Sequence, residues 1–365
     1  MKDKRVVITG MGVISPLGLD IPSTWQNLID GQSGIGPITL FDTGDHGVKF
    51  AGEAHGFDPT NYMPARDARR MDRFTQFAIA ALDEALAQSR LKVNSHNAHD
   101  VGTIVGSGIG GIATYTVELD KLREHGPRRV SPILVPMITV DVPAVQIAMR
   151  TGAQGPNVGL ASACATGVDA LGQALETIRR GHAKAMFAGS FEAAITPIGM
   201  ATFDRMRAIS RRNDEPERAS RPFDVDRDGF VLSEGGALLV LEDLDYALAR
   251  GAEPLAEVLA YAATSDAIHM TAPDADGTSA ARCMSLAMER AGVAPAELSY
   301  VNAHGTSTPL GDPAETAAIK LALGDYAYRV PISATKSMTG HLSAGAGSLE
   351  ATICIQALRT NLIPP

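Results

Sequence analysis

Aromatic residues are scarce in this chain, 5% of the total with a single tryptophan. A core with so few rings depends on aliphatic packing and close backbone approach, for which 36 glycines make room. Cysteine is scarcer still: three residues, at 164, 283 and 354, with no short spacing between them. Their odd number and wide separation argue against a disulfide framework or a cysteine-based zinc site. No apolar run of about 18 residues occurs, and the opening MKDKRVVITG places a charged tetrad where a signal peptide would carry its apolar stretch. A reducing cytoplasm is the expected setting. Net positive charge is also missing: a formal charge of −9 argues against a general nucleic-acid binder.

What is present describes a large α/β body or two fused domains. Apolar residues make up 45% and charged residues 20% of 365 residues, enough for a substantial core and too ordered for a disordered chain. Short β-rich runs alternate with helical ones. Strands are expected at Arg5–Thr9, Val101–Gly106, Asn157–Leu160, Ala185–Ala188, Ala237–Leu241, Leu255–Ala262, Tyr300–Asn302 and Val330–Ser333. Helices are expected at Arg73–Gln88, Val168–Arg180, Ser279–Ala291, Pro313–Leu323 and Ser348–Arg359. The first carries Phe74, Phe77, Ala78, Ala81, Leu82, Ala85 and Leu86 as a one-sided stripe. VGLASACATGVDALGQALETIRRG and VPISATKSMTGHLSAGAGSLEATICIQALRTN share the order strand, small-residue turn, Thr-Gly, helix. Such an echo fits two similar halves whose turns open on one site.

The first of those turns, ASACATG, surrounds Cys164 with residues that have almost no side chain. That leaves room for another molecule to approach the sulfur. A cysteine at the start of a helix is expected to have a lowered pKa, because the helix N-terminus favours the thiolate. Taken alone, a buried inert cysteine is an equal reading. VNAHGTSTPLGDPAE adds His304 at a strand end with Thr306 and Thr308 beyond it, and ISATKSMTGHLSAGAGSLEA adds Lys336, His341 and Glu350. Each histidine alone reads as structural as often as functional. Together with Cys164 they form a Cys/His/His set on three separate turns, the kind that meets in space.

Two other motifs are decoys. Gly106, Gly108 and Gly111 match the dinucleotide spacing, but they lie far from the first βα unit and lack the following acidic residue. Asp224, Asp226, Asp228 and Gly229 resemble a calcium loop, but Glu234 falls one position short of the bidentate site. Basic residues cluster at Arg66, Arg69 and Arg70, at Arg128 and Arg129, and at Arg205, Arg207, Arg211 and Arg212. They read as solvated loop charge or as a docking patch for an acidic partner.

VVITGMGVISPLG, ACATG, SRPFDVDRDGFVL, VNAHGTSTPLGD and TKSMTGH together resemble the β-ketoacyl-acyl carrier protein synthases of the elongating type, nearly end to end. The resemblance implies the thiolase fold, two similar α/β halves in a five-layered αβαβα body, normally a homodimer. The expected division is residues 1–250, carrying the nucleophilic cysteine, and 251–365, carrying both catalytic histidines. It implies that Cys164 accepts the acyl chain, that His304 and His341 are the catalytic pair, and that Lys336 and Glu350 support them. Thr306 and Thr308 match residues that hold the phosphopantetheine arm. The activity implied is decarboxylative condensation of that acyl chain with malonyl-acyl carrier protein in fatty-acid elongation. No metal and no cofactor of its own is implied, since phosphopantetheine belongs to the acyl carrier protein. Carrier proteins are acidic, which gives Arg66, Arg69, Arg70, Arg205 and Arg207 a use as a docking rim.

The resemblance also implies a Gly-Phe-Gly-Gly loop beyond LRTNLIPP, supplying a second oxyanion-hole N–H and a gating phenylalanine. Without it the second half is expected to be truncated at its end, and the protein poorly soluble or weakly active until the tail is restored. Ser190 and Phe191 stand where the resemblance implies Gly-Thr, and Ser233 where it implies glycine. A polyketide or specialised-lipid ketosynthase, or a non-catalytic ketosynthase-like partner, are the alternatives.

Overall fold

The run VVITGMGVI forms the strand Val6–Ile14, and every residue in it is buried. A Cβ on Gly12 would sit 1.9 Å from the Ala81 carbonyl oxygen, so the glycine is what lets the helix Arg73–Ser89 lie directly on this strand. That helix begins where the Asp72 carboxylate accepts the Phe74 N–H, and it ends at Arg90 in a left-handed conformation. Its stripe buries Phe74, Phe77 and Leu82 completely, each worth about 1.5–3 kcal/mol over exposure. The computed structural model describes residues 4–365.

Across the six-stranded sheet the order is Asn157–Val158, Val101–Gly106, Ala185–Glu192, Gly235–Asp243, Val6–Ile14, Ala256–Glu257. The first three strands run parallel to one another, and Gly235–Asp243 pairs antiparallel with both of its neighbours. Both faces are covered, so the strands read as nearly continuous apolar runs. Along Gly235–Asp243, Ala237, Leu239 and Leu241 face one core while Leu238 and Val240 face the other. The helices Arg73–Ser89 and Val142–Thr151 cover one side, and Thr166–Arg179 and Ala346–Thr360 cover the other. Beyond that pair lies a parallel two-stranded sheet, Val301–Asn302 with Ile332–Ser333, and outside it the packed helices Thr278–Ala291 and Gly311–Leu323. The result is the five-layered αβαβα thiolase fold.

The two middle helices meet at glycines. A Cβ on Gly167 would lie 2.3 Å from the Ser348 nitrogen, and one on Gly347 would lie 2.9 Å from the Val168 nitrogen. Each helix follows a short 3-10 turn, Ala163–Ala165 in one half and Ser343–Gly345 in the other. Each turn begins on a left-handed residue, Ala163 at φ 52° and Ser343 at φ 49°. The echo is therefore real but in a different register: Ala163 corresponds to Ser343, and Thr339-Gly340 precedes the matching turn.

Several expected elements change extent. The strand expected at Leu255–Ala262 shrinks to Ala256–Glu257, which pairs with Val7 and Ile8 at the edge of the first sheet. Helices not anticipated are Ile21–Ile29, Ile112–His125, Val142–Thr151, Pro197–Arg205 and Leu244–Ala249.

Candidate active site

Cys164 sits at the centre of its 3-10 turn, held by Thr166. The Thr166 hydroxyl donates to the Ala163 carbonyl at 2.7 Å and accepts the Ser162 N–H at 2.9 Å. With Ala161, Ala163 and Ala165 around it, Cys164 is a free thiol packed from below by the fold but left open on its alanine-lined side. A non-glycine residue at positive φ, here Ala163, stores strain of the kind that collects at working sites.

The expectation of a lowered thiol pKa is not met. Burial by the surrounding protein pushes the Cys164 thiol up, and the Lys336 cation and the backbone N–H only oppose that shift. The charges of Glu192 and Glu350 add to the rise.

His341 is fixed by its backbone: its N–H donates to the Val231 carbonyl at 2.7 Å, and its carbonyl accepts the Ser233 N–H at 3.0 Å. Its Nε2 lies 3.1 Å from Cys164 Sγ. Nδ1 is buried without a hydrogen-bond partner among the described residues. We assign the ring proton to Nε2, because an orphaned N–H donor is rarer in protein interiors than an orphaned acceptor. His341 thereby presents a donor to the sulfur.

His304 follows the strand Val301–Asn302. Its backbone N–H donates to Glu315 Oε1 at 2.6 Å, and the Gly305 N–H donates to Oε2 at 2.7 Å. Its ring stands edge-on to His341, with centroids 5.4 Å apart and planes at 89°. Burial, helped by the Lys336 charge, lowers the His304 pKa to about 3 and takes His341 well below its usual range. Both rings are neutral at physiological pH.

Lys336 is 1% exposed and forms an ion pair with Glu350. Burial pushes the Glu350 carboxyl up, and the Lys336 ammonium opposes it. One buried cation thus acts on the cysteine, both histidines and its own counter-ion. Thr306 and Thr308 bring their hydroxyl oxygens to 3.1 Å of each other on the loop after His304.

Glu315 carries a function the sequence reading missed. It appears within VNAHGTSTPLGDPAE, but nothing in its spacing marks it as the clamp on the His304 backbone. Glu192 is a second omission. It is fully buried, with its pKa raised to about 7, and takes bonds from the Ser107 hydroxyl at 2.6 Å and the Gly108 N–H at 2.9 Å. Those bonds occupy the N–H groups that a phosphate would need, so GSGIGG is no dinucleotide site. The calcium-like loop is likewise used internally: Arg221 and Arg212 pair with Asp224 and Asp228 at 3.4 Å and 3.5 Å.

Arg66, Arg69, Arg70, Arg205 and Arg207 are all exposed, and none is in an ion pair among the described residues. Arg211 and Arg212 differ, being tied to Asp204 and Asp228. Of the residues expected to depart from the family pattern, the Ser190 hydroxyl donates to the Ala344 carbonyl at 2.6 Å and Phe191 is fully buried in the core. Ser233 Oγ is buried without a partner among the described residues and lies 1.9 Å from where a Cβ on Gly340 would be.

The donor atoms of Cys164, His304 and His341 all lie within 4.8 Å of one another. Such a set suits a thioester held on sulfur with its neighbour's oxygen facing two N–H donors.

Comparison with known proteins agrees. The family model described as beta-ketoacyl synthase, N-terminal domain, matches residues 3–247, and beta-ketoacyl synthase, C-terminal domain, matches 255–365. A 3-oxoacyl-[acyl-carrier-protein] synthase 2 of Vibrio cholerae is 48% identical, with all of this chain and 88% of that protein covered. Its namesake from Synechocystis is 46% identical with the same coverage. Among solved structures, a beta-ketoacyl synthase from Burkholderia phymatum is 35% identical, with TM-score 0.91 over 99% of this chain and 88% of that one. A type II PKS acyl-carrier protein in complex with its ketosynthase gives TM-score 0.89 at 31% identity, over 100% of this chain and 88% of that one.

Proposed function

The chain belongs to the β-ketoacyl synthase family, and from that premise we propose that it is a 3-oxoacyl-acyl carrier protein synthase of fatty-acid elongation. The observation that carries this is the 3.1 Å approach of His341 Nε2 to Cys164 Sγ, beside a second neutral histidine.

The Cys164 sulfur attacks the acyl-carrier thioester, forming an acyl–cysteine bond and releasing the carrier thiol with its proton. Malonyl-acyl carrier protein follows. Its carboxylate leaves as carbon dioxide, and the bonding electrons pass to an enolate at the thioester carbonyl. The N–H groups of neutral His304 and His341 stabilise that oxygen as charge develops on it. The enolate carbon attacks the acyl–Cys164 carbonyl, the carbon–sulfur bond breaks with its electrons left on the Cys164 sulfur, which regains a proton from solvent, and the product is a 3-oxoacyl-carrier thioester two carbons longer. These steps call on no metal or redox group, and phosphopantetheine arrives on the carrier.

Identity of 45–48% to proteins named 3-oxoacyl-[acyl-carrier-protein] synthase 2, against 31% to the type II PKS ketosynthase, supports elongation over specialised assembly. The intact cysteine–histidine contact disfavours a non-catalytic partner. Acyl- and malonyl-carrier protein supplied together should give a 3-oxoacyl-carrier product, and C164A should abolish it. Absence of product from folded wild-type protein would refute the reading.

Docking of the acidic carrier is assigned to Arg66, Arg69, Arg70, Arg205 and Arg207, which are exposed and form no ion pair among the described residues. Reversal of Arg66 and Arg207 to Glu should raise KM for carrier-bound substrate more than for a free acyl thioester; equal change on both would refute it. A homodimer is supported by the exposed edge strand Asn157–Val158 and nearby Val158, Met149 and Val135, which leave apolar surface uncovered. A cytoplasmic setting is supported by three free cysteines. Among the described residues no helix is long and apolar enough to cross a membrane.

A further inference from the structure

Two segments far apart in sequence cross at one buried carboxylate. Asp312, 1% exposed, accepts the Phe223 N–H on Oδ2 at 2.6 Å. On Oδ1 it accepts the N–H groups of Ser307 at 3.0 Å and Thr308 at 3.3 Å. Phe223 and Ser307 both adopt left-handed conformations, φ 63° and φ 67°, which side-chain-bearing residues hold only when their surroundings force them.

Ser307 is pinned at every polar atom. Besides its N–H, its hydroxyl accepts the Arg221 N–H at 3.0 Å and its carbonyl accepts the Gly229 N–H at 3.0 Å. The reversal at Ser307 folds Thr306 toward Thr308 and brings their hydroxyls together at 3.1 Å. The Thr308 hydroxyl also accepts the Gly311 N–H at 3.0 Å.

The next two carbonyls, of Thr308 and Pro309, are held by a single side chain. Arg227 Nε donates to the Thr308 carbonyl at 2.9 Å and its Nη2 to the Pro309 carbonyl at 3.0 Å. Its Nη1 donates to the Asp224 carbonyl at 2.7 Å, so one guanidinium ties the 224–229 turn to the threonine loop. The side chain is 17% exposed, and Asp312 Oδ2 lies 3.9 Å away as a counter-charge. A planar fork can satisfy three carbonyls in fixed directions, which a lysine ammonium does not reproduce.

We propose that Arg227 is a positioning residue for the pantetheine arm: by holding the carbonyls of Thr308 and Pro309 it sets the paired hydroxyls of Thr306 and Thr308 before the arm arrives. This rests on the reading that those two threonines hold the arm. Arg227 touches no reacting atom, so its effect falls on recognition of the arm rather than on the chemistry at Cys164. Pre-set hydroxyls spare the arm the cost of ordering the loop on binding.

The test compares loading of Cys164 from an acyl-pantetheine thioester and from the S-ethyl thioester of the same acid, which has no arm. The readout is the ratio of the two second-order rate constants. In R227Q the preference for the pantetheine ester should fall about tenfold, the scale of one well-formed hydrogen bond. R227K, which keeps the charge and loses the fork, should also show a clear fall, and it replaces R227Q if that variant is recovered unfolded. The double variant T306V/T308V should abolish the preference. If it does so while both Arg227 variants keep the wild-type ratio, the positioning role is overturned. If T306V/T308V itself keeps the preference, the threonines do not hold the arm, and the proposal falls with that reading.

Discussion

Nε2 of His341 stands 3.1 Å from Sγ of Cys164, joining two residues that lie 177 positions apart in sequence. On the proposed reading, the contact places an N–H donor at the sulfur that would hold the acyl chain. Replacement by alanine removes one of two donors to the enolate. H341A should lower the rate of malonyl-carrier decarboxylation on the order of 10²–10³-fold. Carbon dioxide release measured at saturating substrate checks this, and an unchanged rate would remove His341 from that role.

The neutrality of His304 has a pH signature. Its folded pKa of about 3 lies below the 6.5 of a free imidazole, so the unfolded chain binds a proton there that the folded chain refuses. The stability tied to this residue is therefore complete above pH 6.5 and is lost as pH falls toward 3. In H304N the decline of the urea midpoint between pH 7 and 4.5 should be shallower than in wild type. A parallel decline in both proteins would contradict a neutral imidazole at position 304.

Lys336 and Glu350 form a buried pair whose cation also lowers the Cys164 thiol pKa against the pull of burial. K336M strands the carboxylate, at a cost of about 3–5 kcal/mol in stability. It should also move the pH midpoint of Cys164 alkylation by iodoacetamide upward. An unmoved midpoint would show that the lysine charge does not reach the sulfur.

The Ser190 hydroxyl bonds the Ala344 carbonyl at 2.6 Å and lies 3.0 Å from the Ser348 hydroxyl. S190A leaves buried polar atoms short of a partner and should cost about 1–3 kcal/mol. Denaturant unfolding reads it directly.

Much of this was legible in the residues, for identifiable reasons. Val101–Gly106 matches its expected bounds and Arg73–Ser89 misses by one residue, because continuous apolar runs and a one-sided stripe are strong local signals. Ile112–His125 escaped notice because it buries only Glu118 and so shows no apolar face. Val142–Thr151 was hidden by Pro143, which is tolerated in a first turn but reads as a breaker. Cys164, His304 and His341 were legible as residues on small-residue turns, and the geometry brings them together. Glu315 and Arg227 were not, since both act on backbone groups, and a bond to a carbonyl or N–H leaves no pattern in the sequence of its partner. The thiol pKa was misjudged because the helix terminus is a local feature, whereas the desolvation that outweighs it comes from the whole fold.

The most direct test of the central claim is the intact mass of the protein after incubation with a medium-chain acyl-carrier protein, followed by mapping of the adduct. One acyl increment on Cys164, absent in C164A, is the expected result. Folded protein that gains no increment, or gains it on Cys283 or Cys354, would contradict a nucleophilic Cys164.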